Sequence, residues 1–491
     1  MPFVERVLPA EPVPDLATYA DRYEGGIALE VSGRVPVSAV LDELDASGLR
    51  GRGGAGFPTG RKWRTVLASS SETIPATVVV NAAEGEPGTF KDRAILRANP
   101  YHVLEGALIA ARTIGADKVV VALKASFSRE VQRVRAAIDE IVAAGWCEGI
   151  DLEVLEGPSE YLYGEETALL EVIDGRAPLP RIAPPFRHGV DELVDDPEDV
   201  DTGSGLAAPV ELASEAESNV VPPTLVDNVE TLANVPLIAL KGSEWFRSVG
   251  TAESPGTIVC TITGRVERPG VAEVALGTTL REAITEVGGG PLAGHTISAV
   301  LPGVSNAFIP PEALDTPMTY EDLAALGSGL GSAGFVVLDD TDDLVAAAAG
   351  VSRFLAIESC GQCTPCKQDG LVISELLCQL GRSEADQNDL EALMQRCTTV
   401  SDGARCNLAL QQQAVVSGLL RRWGGAVADH VAGISAPRGP LIVAELLDIT
   451  DGEAVIDLRH EDKQPDWTYD ERDSGMAPAD RLADHRLDAP S

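Results

Sequence analysis

The sequence predicts an α/β chain with a parallel sheet first, a small α+β unit next and a mainly helical region last. Three observations carry this. Short β-branched runs alternate with helical patterns between residues 77 and 155, as in a parallel sheet with crossover helices. From 256 to 338 the pattern changes to short strands around a single helix. From 340 to 432 it is mainly helical. The 491 residues suffice for about three domains. Only 4% are aromatic, so the cores must rest on Val, Leu, Ile and Ala.

Residues 1–49 are mixed, with a Gly25-Gly26 break, and read as a lead-in that wraps a later domain. Residues 50–250 hold the parallel-sheet unit. Thr77–Asn81 reads as a buried strand, and Pro100–Thr113 as a helix with Leu104, Leu108 and Ile109 on one side. Lys118–Leu123 is a second strand, Phe127–Ala144 an amphipathic helix and Leu152–Leu155 a third strand. Residues 187–221 interrupt the pattern with ten Asp or Glu and one basic residue. They read as a solvated acidic insertion, with a docking surface for a basic partner as the alternative. In 256–338, Thr257–Gly264, Ala272–Val274 and Gly334–Leu338 read as strands and Thr279–Val287 as a helix. Residues 436–491 form an acidic extension, in which Leu441–Leu447 is apolar enough to dock and Glu461–Ser491 reads as disordered.

Asp plus Glu total 76 against 38 Lys plus Arg, a net charge of −38 that repels phosphate backbones and argues against nucleic acid. The longest apolar runs fall far short of the ~20 residues of a membrane span. Met1–Glu5 carries no basic stretch leading into an apolar core, so no secretory signal is expected. The expected location is cytoplasmic, with any membrane contact made through partner subunits.

Eight cysteines in such a chain point to ligands rather than disulfides. Cys360, Cys363 and Cys366 form C-x2-C-x2-C, and Cys406 follows 40 positions later. Three thiolates on one tight turn hold three corners of an iron–sulfur cubane, and a distant cysteine supplies the fourth. Zinc sites more often use separated pairs, and zinc or free thiols remain the alternative. Cys397 is the rival to Cys406, while Cys147, Cys260 and Cys378 read as small buried hydrophobes. The six histidines are scattered and read as surface or packing residues. No H-E-x-x-H occurs, which counts against a zinc hydrolase.

Gly51–Gly60 carries five glycines, flanked by Arg61, Lys62 and Arg64. Glycines let backbone N–H groups approach a ligand closely, and clustered cations in an acidic chain point to a phosphate-bearing one. A flexible turn is the competing reading. The strand at 78–80 runs into Asn81 and then Glu84-Gly85-Glu86-Pro87-Gly88-Thr89-Phe90-Lys91-Asp92-Arg93. The strand at 152–155 precedes Tyr161-Leu162-Tyr163-Gly164-Glu165-Glu166-Thr167. Such acidic loops at the carboxyl ends of strands serve either as helix N-terminal turns or as ligand sites.

Taken together with Pro223–Leu232 and Glu358–Cys366, these segments, in this order, resemble the NADH-binding flavoprotein subunit of respiratory complex I. The same module occurs as the diaphorase subunit of NAD-linked hydrogenases and formate dehydrogenases. The resemblance spans roughly residues 15–435 and implies a Rossmann-like FMN-binding domain, a β-grasp (SLBB) domain at 256–338 and a helical bundle holding [4Fe–4S]. By motif position, Gly51, Arg52, Gly53, Gly54, Lys62, Asn81, Glu84, Gly164, Glu165, Asp227, Asn228 and Thr231 would surround FMN. Phe57, Glu86, Tyr161 and Glu166 would face NADH, with Phe57 stacking on a cofactor ring, Glu86 positioning the nucleotide and Glu166 disfavouring NADPH. The implied activity is NADH:acceptor oxidoreduction, with electrons leaving through the cluster. The implied partners are a thioredoxin-like [2Fe–2S] subunit and a larger iron–sulfur subunit. The chain departs from the pattern at Ala83, Tyr163 and Asp227. These departures motivate the alternative of a structural or assembly subunit that keeps the cluster without a working flavin site.

Overall fold

The computed structural model describes residues 3–71, 73–181 and 222–465. The 187–221 insertion and the tail from 466 onward lie outside the described residues. Four parallel strands form the first sheet: β1 (Ala76–Ala82), β2 (Ala116–Lys124), β3 (Asp151–Gly157) and β4 (Thr224–Asn228), in the order β3-β2-β1-β4. Buried β-branched residues explain the central strand. Val78 and Val80 enter one core, while Val79 enters another with Val120, Ala122 and Val226 on the opposite face. The helices Pro100–Ile114 and Val229–Lys241 cover the first face, and they cross so closely that a Cβ on Gly106 would stand 2.0 Å from the Leu232 carbonyl oxygen. The strand order reverses direction at β1 and β4, which opens a crevice at their carboxyl ends.

The first 49 residues supply helices Leu16–Tyr23, Ile27–Arg34 and Val37–Ser47. Val7, Val13, Tyr19, Leu29 and Leu41 join the same core as β1, and the Tyr19 hydroxyl donates to Glu105 at 2.7 Å.

The second sheet has the order β6-β5-β8-β7, from β5 (Thr257–Gly264), β6 (Gly270–Ala275), β7 (Ile297–Pro302) and β8 (Gly334–Asp339). β5 and β8 run parallel, the other pairs antiparallel, and helix Leu280–Glu286 starts in a Thr279/Glu282 capping box. Five helices follow: Leu344–Glu358, Thr364–Gly381, Gln387–Thr399, Leu408–Arg422 and Gly424–Val431. A hairpin of β9 (Leu446–Thr450) and β10 (Glu453–Ile456) comes next. Residues 461–465, expected to be disordered, are placed against the body of the molecule, because Arg353 binds the Glu461 and Lys463 carbonyls at 2.8 and 2.9 Å.

Candidate functional site

A cavity of about 950 Å³ opens at the carboxyl ends of the first sheet. The loop after β1, the short helix Tyr161–Gly164 after β3 and Asn228 at the end of β4 form its floor. Loops of the second sheet and the segment before helix Leu408–Arg422 close it.

Its polar floor is tightly wired. The Glu84 carboxylate is buried and accepts from the Asp92 amide and from Arg93 Nε, both at 3.0 Å. Lys91 Nζ, also buried, donates to Asp92 Oδ1 at 2.7 Å and Asn228 Oδ1 at 3.0 Å, and lies 3.0 Å from Glu230 Oε2. Burial opposes its charge, but Asp92 and Glu230 outweigh burial and raise its pKa. Asn228 also donates to Asp92 Oδ2 at 2.7 Å and caps its helix through the Glu230 amide. Asn81 Nδ2 donates to the Gly164 carbonyl at 2.9 Å. Glu165 caps the following helix through the Thr167 and Ala168 amides.

On the other side of the cavity, Glu86 accepts from the Tyr161 hydroxyl at 2.6 Å, the Val304 amide at 2.8 Å and Ser305 Oγ at 2.5 Å. Burial pushes the Glu86 carboxyl up, against the pull of these donors. Gly53 and Gly54 line the cavity beside Asn228, and a Cβ on Gly53 would fill space 3.4 Å from the Asn228 Cβ.

Of the residues expected at the cofactors, Gly53, Gly54, Asn81, Glu84, Glu86, Tyr161, Gly164, Glu165 and Asn228 line this cavity. The others sit elsewhere. The Gly51 amide closes the glycine loop on the Phe57 carbonyl at 2.8 Å. The Arg52 guanidinium is buried beneath the loop, bonded to the Thr257, Arg50 and Pro255 carbonyls, and its amide donates to Thr231 Oγ1. The Arg52 guanidinium thus ties the loop to the second sheet, and its amide ties it to helix Val229–Lys241 through Thr231. Phe57 is 47% exposed beside Arg61 and does not line the cavity. Glu166, expected at NADH, pairs with Lys62 at 3.1 Å, and Lys62 also donates to the Val226 carbonyl at 2.5 Å. The Asp227 carboxylate turns to Trp63 Nε1 at 2.7 Å, with Lys62 at 4.0 Å.

Sequence reasoning missed Ser305, Asn306 and Ser332, which reach the cavity from the second domain. Lys91 lies within the Glu84–Arg93 motif, where the sequence alone assigns it no role.

Cys360, Cys363, Cys366 and Cys406 line a second, smaller cavity with Leu162, Arg405 and Leu408. Cys363 is the N-cap of helix Thr364–Gly381, so the positive end of the helix faces the cysteine cavity. Burial raises the pKa of Cys360, takes Cys366 to about 11 and Cys406 to about 12. Thiolates there need a cationic centre. Among the described residues, the one group of His, Cys, Asp or Glu with ligand atoms all within 4.8 Å of one another is His295–Asp339–Asp340. No three of the four sulfurs are that close, whereas a single zinc draws its thiolates to about 3.8 Å of one another. Four cysteines converging on one cavity fit the donor set of an iron–sulfur cluster. Cys397 is buried in the bundle, away from this cavity. Leu162, Arg405, Cys406 and Leu408 line both cavities and form their common wall.

Residues 44–237 match the family profile of the Nuo51 FMN-binding domain, 259–302 that of the SLBB domain, and 346–430 that of the NADH-ubiquinone oxidoreductase-F iron-sulfur binding region. The NADH-quinone oxidoreductase F-subunit 2 of Rhizobium meliloti (strain 1021) is 36% identical over 411 residues, 82% of this chain and 90% of the relative. The chain belongs to the NADH-quinone oxidoreductase F-subunit family. The F-subunit of Mycobacterium bovis (strain ATCC BAA-935 / AF2122/97) is 35% identical over 438 residues, 87% of this chain and 92% of that one. A crystal structure of NAD+-reducing [NiFe]-hydrogenase in the H2-reduced state aligns with a TM-score of 0.72 and 31% identity over 85% of this chain. The chain spans 66% of that hydrogenase chain.

Membership makes this an FMN- and [4Fe–4S]-dependent NADH dehydrogenase subunit, built from a Rossmann-like domain, an SLBB domain and a helical cluster domain. Among the described residues, no helix is long and apolar enough to cross a membrane.

Proposed function

We propose that the large cavity holds FMN and NADH together and that Cys406 in the common wall is where electrons leave for the cluster. The observation that carries this is the wall itself: Cys406, the proposed fourth ligand, lines both cavities. FMN supplies conversion of a two-electron hydride into single electrons, and the cubane carries them one at a time. The residues bind, orient and exclude water. Gly53 and Gly54 leave room for a planar group against Asn228. Lys91, held charged by Asp92 and Glu230, gives the floor a fixed cation. Glu86 and Tyr161 form a rigid acceptor and donor pair suited to the nucleotide. No side chain has to move a proton for hydride transfer, so none is assigned as a general acid or base.

The polar floor is intact, which gives no support to a subunit without a working flavin site. The domain limits proposed are 1–49, 50–250, 256–338, 340–435 and 436–491. The chain works as one subunit of a multisubunit oxidoreductase. The proposed neighbours are a thioredoxin-like [2Fe–2S] subunit and a larger iron–sulfur subunit, and the proposed location is cytoplasmic.

Rapid mixing with NADH under anaerobic conditions tests the order of events. Loss of flavin absorbance must precede loss of cluster absorbance. A cluster reduced before or without the flavin contradicts the proposal.

A further inference from the structure

The chain beyond residue 430, outside the iron–sulfur match, returns to the body of the molecule at two places. At the β9–β10 hairpin, Glu445 lies 2.5 Å from Lys124 Nζ, Asp448 lies 2.6 Å from Arg97, and the Leu446 carbonyl accepts from Arg93. Arg93 is the residue that holds Glu84 in the cavity floor.

Further on, Arg353 grips the carbonyls of His460, Glu461 and Lys463 at 2.9, 2.8 and 2.9 Å. This lays the His460 ring on Phe354, with centroids 4.9 Å apart, and Phe354 meets the Tyr161 ring edge-on at 5.3 Å. It also brings Lys463 Nζ, and His460 Nε2 at 3.1 Å, onto Glu358 Oε1. The other Glu358 oxygen accepts the Tyr161 amide at 3.2 Å. The Tyr161 hydroxyl ends this chain of contacts on Glu86.

We propose that residues 458–463 position Tyr161, and through it Glu86, for the nucleotide, with Lys463 and Glu358 as positioning residues. This rests on reading the cavity as the NADH site. Glu358 is 7% exposed, and a buried carboxylate that holds a backbone amide needs a cation on its free side. Among the described residues, Lys463 is the Lys or Arg side chain that meets it. Without Lys463 that oxygen keeps only His460, the carboxylate loses the cation that fixes it, and it is held less firmly against the Tyr161 amide. Two routes, one of hydrogen bonds and one of ring contacts, converge on the same tyrosine. Residues 458–463 therefore act on the nucleotide side of the cavity from behind, without lining it.

The test uses the full chain with its cofactors, as wild type, Lys463→Ala and Lys463→Arg. The readouts are KM and kcat for NADH with ferricyanide as acceptor, FMN and iron content, and amide hydrogen exchange of the segment around Tyr161. Lys463→Ala is expected to raise KM about tenfold, as for one lost charge-assisted hydrogen bond, with kcat within about twofold. Exchange at the Tyr161 amide rises, cofactor content stays unchanged, and Lys463→Arg restores most of the KM. Unchanged KM and exchange overturn the proposal. So does an arginine variant as impaired as alanine, or loss of FMN and iron in step with activity, which marks a merely structural strap. If wild type does not oxidise NADH but Lys463→Ala still speeds Tyr161 exchange, the coupling stands and the nucleotide reading falls.

Discussion

Replacing Asp227 by asparagine stabilises this protein at neutral and alkaline pH, and the gain fades in acid. Asp227 sits opposite Val80 in the sheet register and is buried. Burial is the largest influence on its carboxyl. Lys62 and the Trp63 indole oppose burial, Glu166 adds to it, and the group is pushed up from 3.8 to about 6. A carboxyl whose folded pKa is raised contributes most below its unfolded value, and that contribution is lost as pH rises through the folded value. Above about pH 6 the folded chain therefore carries an ionised carboxylate that costs about 3 kcal/mol relative to the unfolded chain. Asparagine keeps an amide oxygen for Trp63 Nε1 and never ionises. Lys62 retains Glu166 and the Val226 carbonyl. The expected gain for Asp227→Asn is up to about 3 kcal/mol at pH 8, roughly half that at pH 5, and small at pH 4. Urea unfolding of the full chain, followed by tryptophan emission at these pH values, measures it. Trp63 emission should also titrate near pH 6 in wild type and not in the variant. A gain independent of pH, or a loss at pH 8, refutes the reasoning.

Three further outcomes follow from the same geometry. Glu86→Gln removes charge-assisted bonds to Tyr161, Val304 and Ser305, so KM for NADH should rise about thirtyfold, some 2 kcal/mol, while bound FMN per chain stays constant. Gly303→Ala places a Cβ 2.3 Å from Glu86 Oε1 at a φ of +62°, so it should raise the same KM and lower stability by about 1 kcal/mol, read from steady-state kinetics and urea midpoints. The Tyr163 hydroxyl is buried with no hydrogen-bond partner, so Tyr163→Phe should leave the urea midpoint unchanged or raise stability by about 1 kcal/mol.

Much of the first sheet was legible because β1, β2 and β3 are built on runs such as Thr77-Val78-Val79-Val80, whose β-branched side chains fill both faces. β4 was not, because its five residues end in Asp227-Asn228, and their polarity masks a strand buried by its neighbours. β7, as long as β6 and β8, was missed because Ser298, Ala299 and the closing Pro302 dilute its β-branched pattern. The C-x2-C-x2-C spacing and Cys406 pointed to one site, and the four cysteines do line one cavity. The motif glutamates were legible as a group, but their partners were not. Nothing in the local sequence of Glu166 tells that it turns to Lys62, or in that of Arg52 that it is buried on the Thr257 and Pro255 carbonyls. Ser305 and Asn306 reach the cavity from the loop after β7, far in sequence from the first sheet. The contact of Lys463 with Glu358 spans 105 residues, beyond the reach of any local pattern.

The central claim is that one chain takes hydride from NADH and passes single electrons to a cluster through a shared wall. Its most direct test is the visible spectrum of the anaerobically purified chain, with FMN, iron and sulfide counted, before and after NADH. The proposed route predicts one FMN and about four iron and four sulfide per chain, with flavin bands that bleach with NADH. An iron–sulfur spectrum without flavin, or a bound flavin that NADH leaves untouched, would contradict it.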